Sequence, residues 1–127
     1  MKLPDIDDLI ELHEESIETF GGIPGVRDRG ALESSLARAA QIIAYAERDV
    51  DVVDLAAEIC ASICRNHAFV DGNKRIAFIA LGINLELNGF YLDAREADAE
   101  STMMQLAGGA LTEDDFQAWV RSTAIPE

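Results

Sequence analysis

The chain has 127 residues, 49% of them apolar, which is enough for one buried core and too little for two full domains, so residues 1–127 read as a single domain. Ten Lys and Arg against 24 Asp and Glu leave a net charge of −14. That balance excludes a broad basic face that binds nucleic acid by neutralising phosphates, and anionic membranes repel it as well. The longest nearly uncharged stretch, Ile76 to Leu85, falls far short of the roughly 20 residues of a bilayer span, and Met1 to Asp5 lacks an apolar signal-peptide core. A cytoplasmic protein is expected.

Ile6, Leu9, Ile10, Leu12 and Ile17 between Asp5 and Phe20 predict an amphipathic helix, with Asp5, Asp7 and Asp8 at its favourable end and Gly21-Gly22 as its stop. His13 lies among acids on this helix and reads as a surface residue. Ile23 to Gly30 holds a Pro, two Gly and three charges and should be an ordered loop, with Arg27, Asp28, Arg29 and Glu33 bracing it. A second helix starts at Ala31 on Leu32, Leu36 and Ile43, with a break near Gln41 left open, and fades into a charged turn at Glu47-Arg48-Asp49. Val52 to Asn66 predicts a third helix. Its Cys60 and Cys64 share a stripe with Val53, Ala56 and Ile63 and so read as core residues, not as zinc ligands or a disulfide. Asn73 to Asn88 is apolar on nearly every face and predicts a buried central helix capped by Gly89. Phe90 to Leu92 leads out of it. A helix over about Glu96 to Ala107 follows, then a last one bearing Phe116, Trp119 and Val120, opened by Thr112 and Asp115 in the spacing of a capping box. The fold class is all-α.

The chemistry concentrates in Arg65-Asn66-His67-Ala68-Phe69-Val70-Asp71-Gly72-Asn73-Lys74-Arg75. The head of a buried helix presents unpaired N–H groups and about half a positive charge, so Gly72, Asn73, Lys74 and Arg75 make a cradle for phosphate. Lys74 adds a compact charge and Arg75 a planar fork. Asp71 is a hard oxygen ligand suited to Mg²⁺, and His67 is suited to take a proton from a hydroxyl. Phe69 anchors the loop to the core. Each residue also has a plainer reading: His67 alone is more often structural, Asp71 alone would serve as a helix cap, and Lys74 and Arg75 could be a solvated pair.

The run His67-Ala-Phe69-Val-Asp71-Gly72-Asn73-Lys74-Arg75 resembles the H-x-F-x-D-[GA]-N-K-R signature of the Doc branch of the Fic/Doc family. Phe20 to Gly30, Leu32-Glu33-Ser34, Asp54-Leu-Ala-Ala and Leu85-Glu-Leu-Asn-Gly extend the likeness over nearly the whole chain. The resemblance implies the toxin of a toxin–antitoxin pair. Such a toxin uses ATP and Mg²⁺ to phosphorylate a Ser or Thr hydroxyl of elongation factor Tu and arrests translation. By position, His67 is then the base, Asp71 the Mg²⁺- or phosphate-organising carboxylate, and Gly72, Asn73, Lys74 and Arg75 the nucleotide-binding set, with Arg65 assisting.

AMP-transferring Fic proteins read H-P-F-x-x-G-N-G-R-x-x-R, whereas Lys74 and Phe78 stand here at the second Gly and last Arg, and Ala68 at the Pro. The first two departures favour transfer of the γ-phosphoryl group, with AMP transfer as the alternative and a binding module without turnover as a second rival. A self-inhibitory [ST]-x-x-x-E-[GN] element finds only the incomplete Thr123 to Glu127. A separate antitoxin, with a disordered segment that folds on binding, is the expected partner. The segment Ile43 to Val50 is a candidate flap for the target chain.

Overall fold

The computed structural model of the chain describes residues 2–46 and 50–127. Six helices occur among them: α1 (Ile6–Phe20), α2 (Arg29–Ala44), α3 (Val52–Asn66), α4 (Asn73–Leu87), α5 (Glu96–Ala107) and α6 (Glu113–Thr123). Two three-residue strands, β1 (Phe90–Leu92) and β2 (Ala124–Pro126), pair antiparallel with Tyr91 opposite Ile125. The class is all-α as expected. The strands escape a periodicity argument because three residues are too few to show alternation. The turn expected at 47–49, and with it part of the candidate flap, lies outside the described residues.

Helix ends follow local chemistry. Asp5 accepts the Asp8 N–H while Asp8 accepts the Asp5 N–H, a reciprocal capping box at α1. Thr112 accepts from Asp115, half of such a box at α6. α2 begins two residues before the expected Ala31, because the Asp28 carboxylate accepts the Ala31 N–H and lets the helix start at Arg29. It then runs unbroken through Gln41 to Ala44.

α3 and α4 together form the centre of the molecule, and α3 is the more deeply buried of the two. Ten residues of α3 are buried, and it packs against α2, α4, α5 and α6. α4 buries six residues on one face, including Ile76, Ala80 and Leu81, while Phe78, Ile79 and Ile83 are only half covered and Leu87 is exposed. An apolar surround predicts burial on all sides only where enough neighbouring elements exist, and the far side of α4 borders an open groove beside α1. Cys60 and Cys64 are free thiols in the core, and burial pushes both above the usual thiol range. A polar joint ties α2 to α3: Ser62 Oγ donates to Ser35 Oγ at 2.8 Å, and Asn66 Nδ2 donates to the same oxygen at 2.7 Å. No helix of the described residues is long and apolar enough to cross a membrane.

Candidate functional site

α3 ends at His67, which adopts the left-handed conformation (φ 48°, ψ 49°) and is the one non-glycine residue with positive φ among the described residues. A bulky residue there carries a conformational cost of about 1–3 kcal/mol, so the position is held by its surroundings. Those surroundings are the loop before α2. Arg27 and Asp28 donate backbone N–H groups to the Ala68 carbonyl at 2.8 and 2.9 Å, Arg27 Nη2 donates to the His67 carbonyl at 2.6 Å, and Val70 N–H donates to the Gly25 carbonyl at 3.1 Å. Val26 and Phe69 form a β-bridge. The expected bracing by Arg27 and Asp28 is therefore a ladder laid along the loop that carries His67, while Arg29 pairs with Glu33 and Asp7. The His67 imidazole is exposed and makes no hydrogen bond within the described residues.

Phe69 is fully buried, as an anchor should be. Asn73 holds its backbone at two points: Oδ1 accepts the Phe69 N–H at 3.0 Å and Nδ2 donates to the Phe69 carbonyl at 2.9 Å. The Asn73 amide thus fastens the loop that carries His67 and Asp71 to the head of α4. Its main-chain N–H and the second hydrogen of Nδ2 reach no acceptor among the described residues.

Asp71 is exposed, and each of its oxygens accepts one main-chain N–H, from Ile23 at 3.0 Å and from Gly72 at 2.8 Å. These two bonds, Ile23 first, hold its carboxyl below the usual carboxylate range and keep it ionised. It does not cap α4; that position belongs to Gly72 (φ 75°), whose side makes no capping bond. With a lone pair left on each oxygen, Asp71 fits a Mg²⁺ that keeps waters and shares phosphate ligands. No group of three or more His, Cys, Asp and Glu is gathered for a metal among the described residues.

At the head of α4 the first helical bond is Ile76 N–H to the Gly72 carbonyl, and the N–H groups of Asn73, Lys74 and Arg75 reach no acceptor among the described residues. The Lys74 side chain is exposed and enters no ion pair within them. Three open donors and a free ammonium fit a phosphate chain. Arg75 also holds the end of α1: its Nη1 donates to the carbonyls of Gly21 at 3.0 Å and Ser16 at 3.4 Å, and its guanidinium lies 5.4 Å from the Phe20 ring centre. A cation is favourable at that C-terminal end of α1, so Arg75 braces the helix as well as opening the cradle. Arg65 has a partner in the folded chain. It pairs with Glu113 in the first turn of α6, where each charge also complements its own helix end.

One residue of the site was missed. His13 is buried, not on the surface; its Nε2 lies 2.7 Å from the Asp71 carbonyl, and its ring stacks on Phe69 with centroids 3.9 Å apart. The signal was its spacing of four from both Leu9 and Ile17, the buried stripe of α1, which outweighs the acids beside it.

Fold and site together define a helical domain in which a braced loop delivers one exposed histidine and one ionised carboxylate to a helix start with open N–H donors. The model described as "Fic/DOC family" matches residues 3–85. The chain is 35% identical over 83 residues to "Protein kinase doc" of Escherichia phage P1, an alignment covering 65% of each protein. It is 36% identical over 107 residues to "Toxin Doc" of Mycolicibacterium smegmatis, covering 72% of this chain and 82% of that one. The match thus spans just under two thirds of the phage protein's length. The chain belongs to the Fic/Doc family.

Proposed function

We propose that the chain is the toxin of a toxin–antitoxin pair and acts as a protein kinase-like transferase, moving the γ-phosphoryl group of ATP to a Ser or Thr hydroxyl of elongation factor Tu. The observation that carries this reading is the head of α4, with three open N–H donors and the free Lys74 ammonium beside a loop that presents His67 and Asp71. The names of the two relatives, a kinase and a toxin, lend it support.

ATP with Mg²⁺ supplies the transferable phosphoryl group and charge neutralisation when bound. The residues do the rest. His67 takes the proton of the acceptor hydroxyl, a role worth about 10²–10⁴ in rate. The N–H groups of Asn73, Lys74 and Arg75, with the Lys74 ammonium, compensate charge that develops on the transferred group. Asp71, kept ionised by Ile23 and Gly72, would hold the metal. A cytoplasmic location and an antitoxin whose disordered segment folds onto this domain belong to the same proposal.

Label transfer tests the reaction. The proposal expects elongation factor Tu to acquire label from γ-labelled but not from α-labelled ATP. Label from the α position would establish AMP transfer instead, and toxicity that survives His67→Ala would favour a binding module.

A further inference from the structure

The loop that carries the site is clamped from outside by the ladder to residues 25–28, yet one peptide in it, between Asp71 and Gly72, is exposed to an alternative. Gly72 sits at φ 75°, and glycine accepts either hand of the backbone, so a peptide beside it turns over at little steric cost. Both ends of this peptide are held in opposite directions, as a trans peptide requires. Its N–H donates to Asp71 Oδ1 at 2.8 Å, and its carbonyl lies 2.7 Å from His13 Nε2. A carbonyl oxygen carries no hydrogen, so Nε2 is the donor and carries the proton. Turned over, the peptide would set its oxygen against the Asp71 carboxylate and leave a buried imidazole N–H without an acceptor.

His13 is well placed to prevent this. It is 1% exposed, and its ring lies nearly parallel to Phe69, with an interplanar angle of 15°. Its own helix locks it further, since Ser16 Oγ donates to its carbonyl at 2.8 Å. A Cβ at Gly72 would lie 3.4 Å from Nε2, in ordinary contact, so it is the positive φ and not crowding by His13 that calls for glycine there.

We propose that His13 is a positioning residue of the site: its Nε2–H fixes the Asp71–Gly72 peptide, and with it the carboxylate of Asp71 and the start of α4. It touches no reacting atom. The role rests on the phosphotransfer reading of the loop, but its structural half does not.

Two variants separate the donor from the ring. His13→Phe keeps the stack on Phe69 and removes the N–H; His13→Gln keeps an N–H and removes the ring. Amide exchange of residues 69–73 in the nucleotide-free protein is read beside kcat and KM for ATP. The expected result for His13→Phe is an unchanged cooperative melt, Gly72 exchange faster by about tenfold or more, and kcat lower by about ten- to a hundredfold with a smaller change in KM. His13→Gln recovers most of both. Exchange and kcat within twofold of wild type in His13→Phe would overturn the proposal, as would a folded His13→Gln that loses as much as His13→Phe. Should His13→Phe not fold, His13→Gln decides by the same two readouts. A wild-type protein that transfers no phosphoryl group would refute the proposed reaction and leave the exchange of Gly72 to judge His13.

Discussion

His67 combines two properties that pull apart: a left-handed backbone suited to glycine and an exposed ring that makes no internal hydrogen bond. Stability alone would select glycine at this helix end. His67→Gly should therefore melt higher, by roughly 2–6 °C for about 1 kcal/mol of relieved strain, while losing transfer activity. Scanning calorimetry beside an activity assay checks this, and a lower melting temperature would mean that the ring itself stabilises the loop. Asp71 makes a pH-dependent contribution. Its carboxyl is held below the usual range in the folded chain, so its stabilising effect is complete above the unfolded value of about 3.9 and disappears as pH falls through the native value. Urea midpoints of wild type and Asp71→Asn should differ at neutral pH and converge in acid; a gap independent of pH would separate the effect from ionisation.

At the scale of elements, the site exists because two loops, 21–28 and 67–72, are fitted to each other and to the ends of α1 and α4. Gly22 shows how closely: at φ 126°, a Cβ there would stand 2.9 Å from Asp71 Oδ2 and from Ile17 Cδ1. Gly22→Ala should displace the Asp71 carboxylate, weaken Mg²⁺-dependent ATP binding by about tenfold or more, and destabilise the fold by about 1–2 kcal/mol. Titration calorimetry with and without Mg²⁺ reads the first effect and chemical denaturation the second. Asn73→Ala would strip the Phe69 main chain of both its partners, at a cost of about 1–3 kcal/mol for the buried groups left unpaired. Helix existence was legible in the sequence, since α1, α3, α5 and α6 carry clear apolar spacing or caps. The direction of side chains at the site was not. Arg65 and Arg75 each have a neighbour that spacing along the chain does not announce: Glu113 is 48 positions from Arg65 in sequence, and Gly21 is 54 from Arg75. His13 was misjudged because local acidity was weighed above its four-residue spacing from Leu9 and Ile17.

For the molecule as a whole, α3 is the post around which the other helices are set, and it also delivers His67 from its C-terminal end. The same helix is tied at its other end by Arg121 of α6, whose Nη2 reaches Asp51 at 2.7 Å and Asp54 at 2.6 Å. The pair of carboxylates raises the Arg121 guanidinium above its already high value. These groups are half exposed and screened by solvent, so Arg121→Ala should shift a denaturation midpoint only slightly and should leave transfer unchanged, because the contact lies at the far end of α3 from His67. The net charge of −14 gives the few basic residues their meaning: Lys74, exposed at the head of α4, stands out against an acidic background where an anion must be attracted locally. The family signature made that much readable from residues 67–75 alone, whereas the deeper burial of α3 than of α4 depended on how the elements around each are arranged, a property of the assembled fold.

The central claim, γ-phosphoryl transfer with His67 as base, is tested most directly by the intact mass of purified elongation factor Tu after incubation with the chain and MgATP, beside the His67→Ala variant. The account predicts a gain of one phosphoryl group with the wild type and none with the variant. A gain of one AMP group, or an equal phosphoryl gain with both proteins, would contradict it.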